Sequence, residues 1–70
     1  MIIIVNGRRV WVGGNVTVAL LLRSLGYAAR GVAVALNQTL LPRSAWQIKL
    51  SDGARLDVLT AVDGTRANNI

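Results

Sequence analysis

The chain has 70 residues, no cysteine, no histidine and a formal net charge of +5 at pH 7. This length predicts one small domain, and the absence of cysteine excludes disulfides and thiolate metal sites as a source of stability. Glutamate is also absent, and the acidic residues are Asp52, Asp57 and Asp63. No serine has an imidazole to activate it, and no pair of carboxylates suggests acid–base catalysis. We therefore expect a non-enzymatic protein that acts by being bound, without a metal or a bound cofactor.

The basic residues are spread along the chain, and only Arg8 and Arg9 are adjacent. Because they are not interleaved with aromatic residues, nucleic-acid binding is disfavoured, and attraction toward an acidic protein partner is the better interpretation. No segment approaches the roughly 20 apolar residues that span a bilayer. The first residues, MIIIVNGRR, place their charges after the apolar run, the reverse of a secretory signal. These features predict a cytoplasmic protein.

The N-terminal third predicts a hairpin. The apolar run Ile2 to Val5 favours a central strand that is covered on both faces. Asn6-Gly7 is the strongest two-residue hairpin signal, and Arg8 to Val12 returns as an edge strand. Its wet face carries Trp11, either as a surface aromatic, which we favour, or as part of a contact patch. The glycine pair at 13 and 14 lacks the lysine and the spacing of a phosphate-binding loop, so a turn is the simpler interpretation.

A short helix follows the hairpin. Thr17 is the predicted N-cap, and the helix is expected from Val18 to Leu25. Apolar residues at helical spacing form one face that should pack against a sheet: Val18, Leu21, Leu22 and Leu25. Gly26 supplies the left-handed residue that ends the helix.

The second half predicts three more strands. Val32 to Leu36 is one, with small residues at Ala33 and Ala35 on its outer face, and Asn37-Gln38 turns it back into Thr39 to Leu41. A single helical turn at Ser44 to Gln47 would let a tryptophan, residue 46, close the core. The last strand, ARLDVLTAVDG at 54–64, follows the Asp52-Gly53 turn.

This order of elements closes most simply if the last strand lies parallel to the first strand, in the middle of a mixed sheet. We therefore predict an α+β fold of the β-grasp type, with a sheet of four to five strands wrapping one helix. The predicted domain covers residues 1–64, and residues 65–70 are predicted to form a flexible C-terminal tail.

Several short motifs in combination resemble the ThiS family of sulfur carriers in thiamine biosynthesis, over about residues 1 to 64. The motifs are Asn6-Gly7, the Thr17-Val18 helix start, a strand ending in Asn37, Leu41-Pro42-Arg43-Ser44, Trp46, Asp52-Gly53 and Thr60-Ala61-Val62. The Pro-Arg-Ser-x-Trp segment favours this branch over the related carrier of molybdopterin synthesis.

The resemblance implies a ubiquitin-like β-grasp and a carrier role. In that family an E1-like adenylating enzyme (ThiF type) uses ATP to activate a C-terminal Gly-Gly carboxylate. The acyl adenylate becomes a thiocarboxylate, which delivers sulfur to thiazole synthase (ThiG type). Here the sequence departs from the pattern, because Thr65 stands where the last glycine is expected and five residues follow it. Only Gly64 can be carried over as the attachment residue, and only if the chain is cleaved after it.

An alternative function is a β-grasp interaction module without carrier activity, because the terminal Gly-Gly is missing. Under either hypothesis we predict a partner-binding patch on the outer face of the sheet. Its predicted members are small or apolar residues with basic residues at the rim: Ala33, Ala35, Leu59, Ala61, Arg43 and Arg55.

Overall fold

A computed structural model describes residues 1–28 and 30–60 of the chain. In this part the chain forms five strands, one α-helix and one 3-10 turn. The elements are β1 (Ile2–Val5), β2 (Arg8–Trp11), α1 (Val18–Ser24), β3 (Val32–Leu36), β4 (Thr39–Leu41), the 3-10 turn Arg43–Ala45 and β5 (Arg55–Thr60).

The strands form a single mixed sheet in the order β2-β1-β5-β3-β4. β1 and β5 are parallel, with Val5 opposite Leu56, whereas the other neighbouring pairs are antiparallel. This confirms the predicted β-grasp and the predicted position of the last strand beside the first. The central position belongs to β5, so every other element is arranged around the strand that leads into the C-terminal residues.

Both hairpins begin with an asparagine in the left-handed region of backbone space. Asn6 and Gly7 have φ of 49° and 82°, and Asn37 and Gln38 have φ of 50° and 70°. Asparagine tolerates this conformation better than most residues, and a two-residue turn with positive φ at both positions matches the twist of paired strands. These two turns therefore fix the register of β1 with β2 and of β3 with β4.

The helix begins as predicted and ends one residue early. Thr17 Oγ1 accepts a hydrogen bond from the Leu20 amide at 3.1 Å, which is an N-cap interaction. Leu25 is the C-cap residue, and Gly26 follows with φ of 89°. The prediction that Leu25 completes the buried stripe is wrong, because its side chain lies outside the last helical turn and is 41% exposed.

The core lies between α1 and the inner face of the sheet. It contains the inward-facing residues of β1, β3 and β5, three helix residues, and the residues that close its ends: Ile3, Val5, Val18, Leu21, Leu22, Val34, Trp46, Leu50, Ala54, Leu56 and Val58. All are aliphatic except one tryptophan. That indole donates to the Leu41 carbonyl at 3.3 Å, so its polar atom has a partner. The predicted closure of the core by this ring is confirmed.

Two sequence predictions about the fold are wrong in detail, and the prediction of the domain boundary and tail falls on residues that the structure does not describe. β1 is not covered on both faces, because Ile2 and Ile4 are half-buried on the side away from the helix. The helical turn predicted at 44–47 is a 3-10 turn one residue earlier, where Pro42 supplies the extended residue before it. The last strand is described only to Thr60, so the predicted domain boundary and the predicted tail lie outside the described residues. No helix of the described chain is long and apolar enough to cross a bilayer.

Candidate protein-docking site

The sheet face opposite the helix, called here the outer face, carries no element of the described chain. Successive side chains of a strand point to opposite faces of the sheet. Because the inward positions are Ile3, Val10, Val34, Leu56 and Val58, their neighbours along each strand point to the outer face. The outer face therefore consists of Ile2, Ile4, Arg9, Trp11, Ala33, Ala35, Leu40, Arg55, Asp57 and Leu59.

One half of the outer face is mostly apolar, with a single carboxylate, Asp57, opposite Ala35. Ala33 lies opposite Leu59 in the β3–β5 pair, and Ala35 lies opposite Leu40 in the β3–β4 pair. The two leucines are 71% and 73% exposed. Since large exposed side chains on neighbouring strands with small residues between them form a flat apolar patch, this half has the character of a protein interface.

The other half combines apolar and basic side chains. Trp11 lies opposite Ile2 and is 78% exposed. Ile4 has Arg9 as its register partner on β2 and Arg55 as its register partner on β5. Two arginine positions thus flank one half-buried isoleucine, an arrangement that suits a partner with apolar and acidic groups.

The structure brings together most of the predicted patch. Ala33, Ala35, Leu59 and Arg55 share the outer face, as the alternation predicts. Arg43 is elsewhere: its guanidinium carbon lies 5.5 Å from the centroid of the Trp46 ring, on the helix side of the sheet. The reason is that Pro42 ends β4 and the following 3-10 turn carries the chain away from the outer face. The remaining predicted members, residues 61 and 64, lie outside the described residues.

The sequence interpretation did not include Leu40, Trp11, Arg9 or the β1 isoleucines in the predicted patch, although it considered a contact role for Trp11. Leu40 could have been found, because a two-residue turn at Asn37-Gln38 sets Ala35 opposite it. The other members, on β1 and β2, join this face through the pairing of β1 with β5. That pairing joins residues far apart in sequence, and local patterns do not specify its register.

Two asparagines hold the central strand from opposite sides. The Asn6 amide donates to the Leu56 carbonyl at 2.9 Å, and its side-chain Oδ1 accepts from the Val58 amide at 2.7 Å. On the other side, the Asn37 amide donates to the Arg55 carbonyl at 2.7 Å, and its Oδ1 accepts from the Arg55 amide at 2.9 Å. β5 is therefore held by side-chain hydrogen bonds in addition to the backbone hydrogen bonds that pair it with its neighbouring strands.

The acidic side chains of the described residues, Asp52 and Asp57, lie apart from one another. The described residues contain no group of three His, Cys, Asp or Glu side chains that could hold a metal ion. Asp52 accepts a hydrogen bond from the Ile2 amide at 2.7 Å, which gives this carboxylate a structural role at the end of the sheet. The described part carries an exposed, mostly apolar sheet face beside a strand to which two asparagine side chains are hydrogen-bonded.

A five-stranded mixed sheet with one helix and a parallel pairing of its first and last strands defines the ubiquitin-like β-grasp class of small proteins. Within that class, the model of the ThiS family matches residues 3–64, so the chain belongs to the ThiS family. This membership supports a sulfur carrier role in thiamine biosynthesis.

A solved structure agrees with this assignment. The chain is 34% identical to the thiamine biosynthesis protein ThiS of Geobacter metallireducens, whose crystal structure it matches with a TM-score of 0.76. The match covers 86% of this chain and 93% of that one. No curated protein matches the chain.

Proposed function

We propose that this protein is a sulfur carrier whose Gly64 carboxyl group, released by cleavage of the Gly64–Thr65 peptide bond, carries sulfur as a thiocarboxylate for thiazole formation. The observation that carries the proposal is the family match, which spans residues 3–64 and ends on this glycine. The protein itself is not an enzyme in this proposal. It is the substrate of an activating enzyme and the sulfur donor to a synthase.

The chemistry requires a free carboxylate. The Gly64 carboxylate attacks the α-phosphorus of ATP on an E1-like adenylating enzyme of the ThiF type, and pyrophosphate leaves. Hydrosulfide (HS⁻) from the sulfur source then attacks the acyl carbon of the adenylate, AMP leaves, and loss of the sulfur-bound proton gives the thiocarboxylate. The carrier binds no cofactor of its own, since the ATP is consumed by its partner.

A glycine suits this end of the chain for a physical reason. Without a side chain it can pass through a narrow channel, and its backbone can approach a nucleotide closely. The β-branched Thr65 in the same channel would meet both side-chain bulk and a restricted χ1 angle. Cleavage after Gly64 is therefore a requirement of the proposal.

The outer face supplies the docking surface. It lies on β5 and its neighbours, so a partner that covers Leu59 is next to the point where the described strand ends at Thr60. We propose that the activating enzyme and thiazole synthase of the ThiG type bind there, with apolar contacts at Ala33, Leu40 and Leu59. Arg9 and Arg55 would pair with acidic groups of the partner, an arrangement that mainly sets association rate and orientation.

The test compares two chains, the full 70-residue protein and a version ending at Gly64. Each is incubated with ATP, an adenylating enzyme of the ThiF type and a sulfur source, and the intact mass is measured. We expect the version ending at Gly64 to gain the mass difference between sulfur and oxygen, and the full chain to remain unchanged. The matched control is the version ending at Gly64 incubated without ATP.

A second measurement decides whether cleavage occurs in the cell. The protein is recovered from its native cell and its intact mass is determined, and the proposal requires a species ending at Gly64. If neither chain gains sulfur although both bind the adenylating enzyme, the carrier proposal fails. The domain would then be an interaction module without carrier activity.

A further inference from the structure

β2 forms one edge of the sheet, and half of its backbone groups point away from the rest of the described chain. Next to it, the Val12 amide donates to the Met1 carbonyl at 2.9 Å, and the Met1 amino group donates to the Val12 carbonyl at 2.8 Å. In an antiparallel pair, such bonded residues alternate with residues whose backbone groups point away from the neighbouring strand. Val10 is therefore bonded to β1, whereas Arg9 and Trp11 direct their N–H and C=O groups to the free edge.

The opposite edge of the sheet offers less for pairing. β4 spans only Thr39–Leu41, and Pro42, which has no N–H donor, follows it. The residues that flank the two-residue turn at 37–38 form a bonded pair, so Leu40 alone directs its backbone groups outward. β2 thus presents the longer row of free donors and acceptors. The spacing of such a row matches another extended backbone, so the natural occupant of this edge is a strand.

We propose that a second copy of this chain pairs with the free edge of β2, antiparallel to it and with the two-fold axis at Val10. In this register Arg9 lies opposite Trp11 of the second copy, and Trp11 lies opposite Arg9 of the second copy. Each of these two pairs exchanges backbone hydrogen bonds, because both residues direct their N–H and C=O groups to the edge. The two sheets then join into one continuous sheet.

The side chains make this register self-complementary. Arg9 and Trp11 both lie on the outer face, and Trp11 is 78% exposed. Each guanidinium therefore lies beside the indole of the other copy, an attractive cross-strand pair. On the helix side, half-buried Val10 meets Val10 of the second copy in a non-bonded pair, the kind in which side chains are closest.

Charge selects this register over its neighbours. Arginines on an edge strand normally oppose pairing. A two-fold axis at Arg9 would set two arginines directly opposite each other, and an axis at Trp11 would set Arg9 opposite Gly13, which has no side chain to contact. The axis at Val10 gives each Arg9 an aromatic neighbour instead. The net charge of +5 on each chain still opposes association, so the dimer is weak and salt strengthens it.

The dimer leaves half of the outer face uncovered. β5, β3 and β4 lie beyond β1, on the side away from β2, so Leu40 and Leu59 are not part of the new contact. Arg9 is part of it, so pairing of two copies competes with the docking of an acidic protein at Arg9. The inference does not depend on sulfur transfer, because it rests on the strand edge alone.

The first experiment measures association of the full chain by sedimentation velocity, from micromolar to millimolar concentration and at low and high salt. We expect a monomer–dimer equilibrium that shifts toward the dimer as salt increases. Association driven by acidic groups would show the opposite dependence on salt.

A cysteine variant tests the register. The chain has no cysteine, so Val10→Cys introduces a single thiol. At the two-fold axis of a non-bonded pair, the two β-carbons lie within the range that a disulfide bridges. In a glutathione buffer, Val10→Cys should form a covalent dimer at least tenfold faster than Leu40→Cys, which places its thiol on the opposite edge. Thermal melting verifies that both variants are folded.

Two pairs of charge variants test the contact of Arg9 with Trp11. Arg9→Glu should weaken the dimer several-fold relative to Arg8→Glu, which lowers the net charge by the same amount at a position directed to the helix side. Trp11→Glu sets a carboxylate opposite Arg9 of the second copy. It should keep the dimer and reverse its dependence on salt, whereas Trp11→Ser should weaken the dimer.

Four results would overturn the inference. The chain could sediment as a monomer at every concentration and salt level. Leu40→Cys could form covalent dimers as fast as Val10→Cys, which would mean that the thiols meet by random collision. Arg9→Glu could associate as well as Arg8→Glu. Trp11→Glu could be as monomeric as Trp11→Ser, which would reduce the association to the stickiness of an exposed indole.

Discussion

The side chain of Asn6 accepts a hydrogen bond from the Val58 amide at 2.7 Å, across 52 positions of sequence. β1 ends at Val5, one residue before this point, so the asparagine side chain continues the pairing where the backbone turns away into the hairpin. The same residue thus forms the turn and secures the central strand. Asn6 therefore adds a side-chain bond between the N-terminal hairpin and the central strand to the backbone pairing of β1 with β5.

We expect Asn6→Ala to lower the free energy of unfolding by about 1–3 kcal/mol, because the part-buried Val58 amide loses its acceptor. Urea unfolding of the full chain measures this change. Asn15→Ala is the matched control, since Asn15 also has a positive φ, of 67°, in a loop outside the sheet. An equal decrease in the free energy of unfolding for the two variants would show that the decrease comes from the backbone conformation, and that the hydrogen bond to Val58 contributes nothing.

A second prediction concerns the closure of the core by Trp46. Its ring is 6% exposed and packs within the core, so Trp46→Ala should cost about 3–5 kcal/mol and leave a small domain largely unfolded at 25 °C. Far-ultraviolet circular dichroism during thermal melting measures the loss. Trp11→Ala removes the same side chain from a position that is 78% exposed and should change stability little. A similar melting temperature for both variants would contradict the assigned role of Trp46.

The third prediction concerns the outer face. Leu59→Asp should weaken binding to an adenylating enzyme of the ThiF type at least tenfold, because it places a charge in an apolar contact, while the fold persists since the side chain is 71% exposed. Isothermal titration calorimetry measures the affinity. Leu20→Asp is the matched control, because Leu20 is 51% exposed on the helix and away from the outer face. If both variants bind like the original protein, the outer face is not the docking site.

Much of the fold could be predicted from the sequence because its signals are local. Asn6-Gly7, the Thr17 cap and Gly26 each act within a few residues, and all are where the patterns place them. The parallel pairing of β1 with β5 follows from the order of elements. The half-burial of Ile2 and Ile4 could not be predicted, because a run of apolar residues is equally consistent with a strand covered on both faces.

The composition of the outer face was predictable only in part, for a related reason. Alternation places Ala33, Ala35 and Leu59 on one face without knowledge of the fold. Arg43 was assigned to the rim because of its charge, but its position depends on the direction the chain takes after Pro42. Its contact with the Trp46 ring is local, because side chains three residues apart in a 3-10 turn lie over one another, but the sequence interpretation began the helical turn one residue later, at Ser44.

The last prediction tests the two arginines that flank Ile4 on the outer face, Arg9 and Arg55. Exposed charges at an interface act mainly on the association rate, through long-range attraction that salt screens. The double variant Arg9→Gln/Arg55→Gln should therefore associate several-fold more slowly with the adenylating enzyme at low ionic strength, with a smaller change in the dissociation rate.

Stopped-flow measurements over a range of salt concentrations give both rates. The control is Arg8→Gln/Lys49→Gln, which removes the same total charge from exposed positions that do not belong to the outer face. If the outer face is the docking site, the association rate of the Arg9→Gln/Arg55→Gln variant depends less on salt than that of the control variant. An equal effect of both variants would mean that only the net charge of the protein matters, and that the positions of Arg9 and Arg55 beside Ile4 have no special role in recognition.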